Sequence, residues 1–233
     1  NGLLALDLGK NQLRPPKAQI QSAVSLINNG QTQEALETVE ALIKEYPDDA
    51  LLFNISGVCY KAIGQLDDAV KSFEKALDLK PDYTEVHNNL GIVLMEIGQH
   101  DAAVVHYKKA IAIKPDYAEA HNNLGSALRD LGKLDAAIEH YEKTLVIKPN
   151  HFSAYNNLGI VLMELGQNDA AFVHYEKALA IQPDYAEAHN NLGILFKELG
   201  QKDEAVKSFE KALSVNPEYT QVHRQISTIK EYT

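Results

Sequence analysis

The sequence has one cysteine, Cys59, so no internal disulfide is possible and no redox compartment is indicated. No apolar run approaches the roughly 18–20 residues that a membrane-spanning helix needs. The short LLALDL stretch at 3–8 lacks the basic flank and the length of a signal peptide. Cations are scarce: 22 Lys and Arg stand against 32 Asp and Glu, for a net charge of −10. That balance argues against nucleic-acid binding, which needs cations to displace counterions from phosphates. It also disfavours adsorption to anionic membranes, and it leaves a basic or neutral partner easier to accommodate. Phosphate loop, nucleophile elbow and catalytic triad signatures are all missing, so no enzymatic activity and no cofactor is indicated. The chain begins at Asn1 rather than Met, which reads as a cut or processed start. Against these absences, 45% of the 233 residues are hydrophobic, enough for a substantial core.

Glycine and proline are few, and nearly all are spent on one period. Gly57, Gly91, Gly125, Gly159 and Gly193 are 34 residues apart, as are Gly30, Gly64, Gly98, Gly132, Gly166 and Gly200. Pro47, Pro81, Pro115, Pro149, Pro183 and Pro217 follow the same period, and so do Ala35, Ala69, Ala103, Ala137, Ala171 and Ala205. Each unit reads as two helices. Helix A ends at the second glycine, which suits a helix C-terminus. Helix B stops near the proline, which disfavours helix at the residue before it. The first glycine lies inside helix A, where it costs roughly 1 kcal/mol against alanine. Its fivefold repetition implies close approach of helix A to helix B.

The pattern resembles the tetratricopeptide repeat. Positions are numbered within a unit from Ala50, Thr84, Ala118, Phe152 and Ala186. The family signature places a large residue at position 4, Leu-Gly at 7–8, Ala at 20, an aromatic at 24, a small residue at 27 and Pro at 32. In the unit 84–117 these are His87, Leu90-Gly91, Ala103, Tyr107, Ala110 and Pro115. The match predicts six units, at 16–49, 50–83, 84–117, 118–151, 152–185 and 186–219. An N-terminal extension (1–15) precedes them and a capping helix (220–233) follows. The unit 16–49 departs most: Ser22 and Ala23 replace Leu-Gly, Val39 replaces the aromatic and Leu42 the small residue. A more irregular terminal repeat is expected of a cap. The resemblance implies an all-α fold, a right-handed α-solenoid superhelix of stacked antiparallel helix pairs.

A helical wheel separates two faces of helix A. Positions 4, 7, 8, 11 and 14 form the core side. Positions 2, 5, 6, 9, 12 and 13 lie opposite, and the resemblance implies that they line a concave groove. Position 5 carries Asn88, Asn122, Asn156 and Asn190, and position 6 carries Asn89, Asn123, Asn157 and Asn191. These pairs are therefore expected to point away from the core. An amide both donates and accepts, so rows of asparagine suit the backbone of an extended peptide of any sequence. The rows are similar to the asparagine ladder of the O-linked N-acetylglucosamine transferase family, and the repeats resemble those of that family and of bacterial tetratricopeptide proteins. The ladder is incomplete in the unit 50–83, where Ile55 takes position 6 beside Asn54.

The same face carries Ile92, Ile160, Ile194, Met95 and Met163, acids along its edges, and the cations Arg129 and Lys197. A basic or mixed peptide with some apolar side chains fits this lining. The alternative is that nearly identical repeats simply inherited their asparagines by duplication. One mode is excluded. Family members that clamp the C-terminal carboxylate of chaperones have Lys at position 5 and Asn at position 9; here these are Asn and Ile or Ser.

Histidines do not form a familiar metal site. His87, His121, His189 and His223 share position 4 with Phe53 and Tyr155, which indicates packing; His106, His140 and His174 at position 23 are expected as a surface row. Cys59 reads as a small core residue. The leading expectation is a non-enzymatic scaffold that binds an extended peptide or protein segment. The alternatives are the substrate-recruiting region of a larger, glycosyltransferase-like enzyme, and a self-assembling chain in which LLALDL docks on a neighbour.

Overall fold

A computed structural model describes residues 14–231, with side chains described up to Ile229. The LLALDL segment lies outside the described residues. Among them there are thirteen α-helices and no strand. In chain order they are α1 (Lys17–Asn28), α2 (Thr32–Glu45), α3 (Ala50–Ala62), α4 (Leu66–Leu79), α5 (Thr84–Glu96), α6 (His100–Ile113), α7 (Ala118–Asp130), α8 (Leu134–Ile147), α9 (Phe152–Glu164), α10 (Asn168–Ile181), α11 (Ala186–Glu198), α12 (Lys202–Val215) and α13 (Thr220–Glu231). Odd-numbered helices are the A helices and even-numbered ones the B helices. The chain divides into two compact units at Ile113 and Lys114.

In unit 1, α1 to α6 pack each against the next, and α1 and α5 also touch α3. In unit 2 the same holds for α7 to α13, with α7 and α11 touching α9. Each unit is thus a stack in which A helices neighbour A helices one repeat away. No helix among the described residues is long and apolar enough to cross a membrane.

The turn after each A helix shows why the second glycine is fixed. Gly98 has φ +77°, the left-handed region that side chains avoid. Its N–H donates to the Met95 carbonyl at 3.0 Å, and the Gln99 N–H donates to Leu94 at 2.8 Å. These two bonds close the helix end and satisfy carbonyls that would otherwise be orphaned.

The first glycine has a different cause. A Cβ on Gly91 would stand 2.5 Å from Cε1 of Tyr107, a ring that is 2% exposed. Glycine thus makes room for the aromatic of helix B rather than for its alanine. The first repeat solves the same problem with other residues. Ala23 takes the glycine position and Val39 the aromatic one, and both are fully buried in one cluster. A methyl added on one helix is offset by a smaller side chain on the other, which explains two of that repeat's departures at once.

At the other end, α13 packs on α12. It buries Val222 and Ile229 against Ala205, Phe209 and Ala212, while His223, Arg224, Ser227 and Thr228 face solvent.

Candidate functional site

The asparagine rows are built by the packing of A helix on A helix. In unit 1, Asn89 Nδ2 donates to Asn54 Oδ1 at 3.3 Å. In unit 2, Asn157 Nδ2 donates to Asn122 Oδ1 at 3.2 Å, and Asn191 Nδ2 to Asn156 Oδ1 at 2.9 Å. Each bond spans 35 residues, so position 6 of one repeat reaches position 5 of the repeat before it. The wheel expectation needs correction here. Asn88, Asn156 and Asn190 are only 5%, 3% and 5% exposed, and Asn122 is half-buried. A wheel sees one helix; Asn122 and Asn156 are met by Asn157 and Asn191 of the next A helix. A buried amide needs partners, and the position-6 amides of Asn157 and Asn191 supply one to Asn122 and Asn156.

The position-6 residues Asn89, Asn123, Asn157 and Asn191 remain half-exposed. Asn89 and Asn157 each spend one amide hydrogen on the neighbouring repeat, which leaves a second hydrogen and the carbonyl. The last rung in unit 2 is incomplete. Position 6 of α13 is Gln225, whose Oε1 accepts from Lys197 Nζ at 2.7 Å. Asn190 Oδ1 is consequently buried with no hydrogen-bond partner among the described residues.

Around the amides, Ile92, Ile160, Ile194, Met95 and Met163 are half-buried. The Met163 sulfur accepts from the Tyr175 hydroxyl at 4.0 Å, so that end of the side chain is engaged. Arg129 is half-buried and paired with Asp130 at 3.0 Å; Lys197 is exposed. Lys61 bridges to Glu96 on the next A helix at 3.1 Å. The Tyr60 hydroxyl donates to Glu40 at 2.6 Å. That hydrogen bond, helped by burial, pushes the phenol up to about 12. The face therefore offers amide donors and acceptors beside apolar and charged side chains.

Models of the tetratricopeptide repeat match residues 17–49 and 150–218, and a TPR repeat model matches 57–98, 93–128 and 125–166. A solved structure of MamA is 31% identical, covering 71% of this chain and 96% of that one, with a TM-score of 0.60. The chain belongs to the tetratricopeptide repeat family. PilW, a widely conserved type IV pilus biogenesis factor, is similar in fold at 23% identity, covering 91% of this chain and 97% of that one, with a TM-score of 0.81. YrrB, a TPR protein with an unusual peptide-binding site, is similar in fold at 20% identity, covering 81% of this chain and 97% of that one, with a TM-score of 0.60. No curated protein matches the sequence.

In this tetratricopeptide chain the histidines depart from the sequence expectation. His106 and His140 do not form a simple surface row. His87 Nδ1 lies 3.1 Å from His106 Nδ1 in unit 1, and His121 Nδ1 lies 3.0 Å from His140 Nδ1 in unit 2. Positions 4 and 23 of one repeat are thus a polar pair between helices A and B. The spacing of 19 residues was visible in the sequence, but only the angle at which the two helices cross makes it a contact. Cys59 is fully buried as expected, and burial pushes its thiol up to about 11.

Proposed function

We propose that the chain is a non-catalytic interaction scaffold that holds an extended peptide or protein segment against the A-helix face of its repeats. The observation that carries this reading is the half-exposed position-6 amide. At Asn89 and Asn157 it uses one hydrogen to tie adjacent repeats and keeps a donor and an acceptor for a ligand backbone. Because that tie fixes the carboxamide plane, the ligand does not have to order it, which lowers the entropic cost of binding. The resemblance of the rows to an asparagine ladder supports the reading. So does the peptide-binding site reported for YrrB, which shares the fold. The half-buried isoleucines and methionines favour apolar ligand side chains, and the edge acids Glu119, Glu164, Glu187 and Glu198 favour basic ones. In unit 2 the face carries more acid than base, which argues for a basic or mixed segment.

The test begins with a peptide selected from a random displayed library on the purified chain. Photo-crosslinking from positions 160 and 163 then identifies a peptide lying on this face. Asn123, Asn157 and Asn191 are replaced together by alanine. Three lost hydrogen bonds of about 1 kcal/mol each predict roughly 100-fold weaker binding. Circular dichroism must show the helices retained, since Asn157 and Asn191 also link repeats. An unchanged affinity for a peptide crosslinked at this face refutes the reading.

A further inference from the structure

Every position-4 histidine sets Nε2 against a proline carbonyl, His189 on Pro183 and His223 on Pro217 both at 2.9 Å; among the described residues, in His87 and His121 alone the other ring nitrogen meets a second histidine. His87 Nε2 lies 3.0 Å from the Pro81 carbonyl oxygen. A carbonyl only accepts, so Nε2 carries the proton and His87 Nδ1 is a bare lone pair. In the resting pair His106 Nδ1–H donates to that lone pair across 3.1 Å, with ring centroids 5.3 Å apart and the planes tilted by 36°. Unit 2 repeats the arrangement: His121 Nε2 meets the Pro115 carbonyl at 3.1 Å, and its Nδ1 meets His140 Nδ1 at 3.0 Å, with centroids 5.2 Å apart. Burial foremost, with the neighbouring ring and Lys109, pushes His106 down to about 4, and burial also lowers His87. Both rings are therefore neutral near pH 7.

A neutral imidazole whose far N–H is held by a backbone carbonyl is the usual posture of a metal-ligating histidine. Two nitrogens bound to one ion at about 2.0–2.1 Å stand about 2.9 Å apart at a right angle and about 3.3 Å apart at the tetrahedral angle. The observed separations of 3.1 and 3.0 Å are those of the N–H···N hydrogen bond, so an ion enters only after the proton leaves Nδ1 and one ring turns, with little change in the distance between the nitrogens. The unit 1 pair opens into a groove of ≈ 680 Å³ between α4 and α6, lined also by Leu77, Asp78, Asp82 and Lys109. The two aspartates favour a cation there, and Lys109 opposes it.

We propose that His87 with His106, and independently His121 with His140, chelate a borderline divalent transition ion through their Nδ1 atoms. The resting rings face one another nearly head-on, so binding requires one rearrangement. The half-exposed His106 ring moves its proton from Nδ1 to Nε2 and hinges until both lone pairs converge. No net proton is released. Among the described residues no group of three metal-ligating side chains forms, so water completes the coordination. With two imidazoles and two waters the site prefers Cu2+ over Zn2+. In the other repeats these two positions never both carry histidine: they are Gln19 and Thr38, Phe53 and Ser72, His189 and Ser208, and Tyr155 with His174, whose ring centroids are 5.9 Å apart.

Those repeats also supply safe variants, because serine already occupies position 23 at Ser72 and Ser208. The untagged chain is titrated with Cu2+, and separately with Zn2+, by calorimetry. The expected result is two ions per chain, falling to one in His106→Ser and to none in His106→Ser with His140→Ser, with the helical circular dichroism retained. His174→Ser serves as the control and leaves two. Absence of saturable binding by the parent chain, or equal binding by the double variant, overturns the proposal.

Discussion

Replacing Gly91 by alanine should destabilise the chain, although alanine is the better helix former. The exchange gains about 1 kcal/mol of helix propensity. Against this, the new Cβ would stand 2.5 Å from Tyr107 Cε1 and 2.8 Å from Cδ1 and Cζ, whereas ordinary contact begins at 3.4 Å. The ring must retreat by about 0.9 Å, and at 2% exposure it is packed on all sides. Overpacking of this kind costs about 1–3 kcal/mol. The net expectation is a loss of about 1 kcal/mol, the middle of the roughly 0–2 kcal/mol range that the two figures leave. In a Tyr107→Val background the obstacle is gone, as it is between Ala23 and Val39. There the same Gly91→Ala exchange should be stabilising by about 1 kcal/mol, a reversal of sign in a double-mutant cycle. Urea unfolding followed by far-ultraviolet circular dichroism measures the four chains. A repeat array need not unfold all at once, so amide hydrogen exchange in α5 and α6 localises the change. Equal or greater stability of Gly91→Ala in the parent chain would refute the reasoning, as would the same sign in both backgrounds.

Gly98 provides a contrast, since a Cβ there meets nothing within 4 Å but its φ is +77°. Gly98→Ala should cost about 1 kcal/mol through backbone strain alone, and Gly98→Asn distinctly less, by the same unfolding assay. Cys59 is fully buried with its thiol pushed up to about 11. Iodoacetamide at pH 8 should leave it unmodified in the folded chain and alkylate it completely in denaturant, as read by intact mass; rapid native alkylation would contradict its placement in the core.

The helix pairs were legible because their causes are local. A left-handed glycine ends helix A, a proline limits helix B, and alanines and aromatics recur at helical spacing. The expectation of close approach at Gly91 was also legible, although its partner was not. The sequence did not reveal that position 5 is buried, because Asn156 is covered by Asn191 on another A helix, not by anything on its own wheel. Nor did it join His87 to His106, which belong to opposite faces until two helices cross.

By itself, then, the sequence determined the period, the alternation of helices and the residues that close each turn, since these follow from backbone preferences over a few positions. Only the tertiary structure decided what the asparagines and histidines do. A carboxamide or an imidazole will accept almost any polar partner, and which one stands within 3 Å is set by the packing of helix against helix.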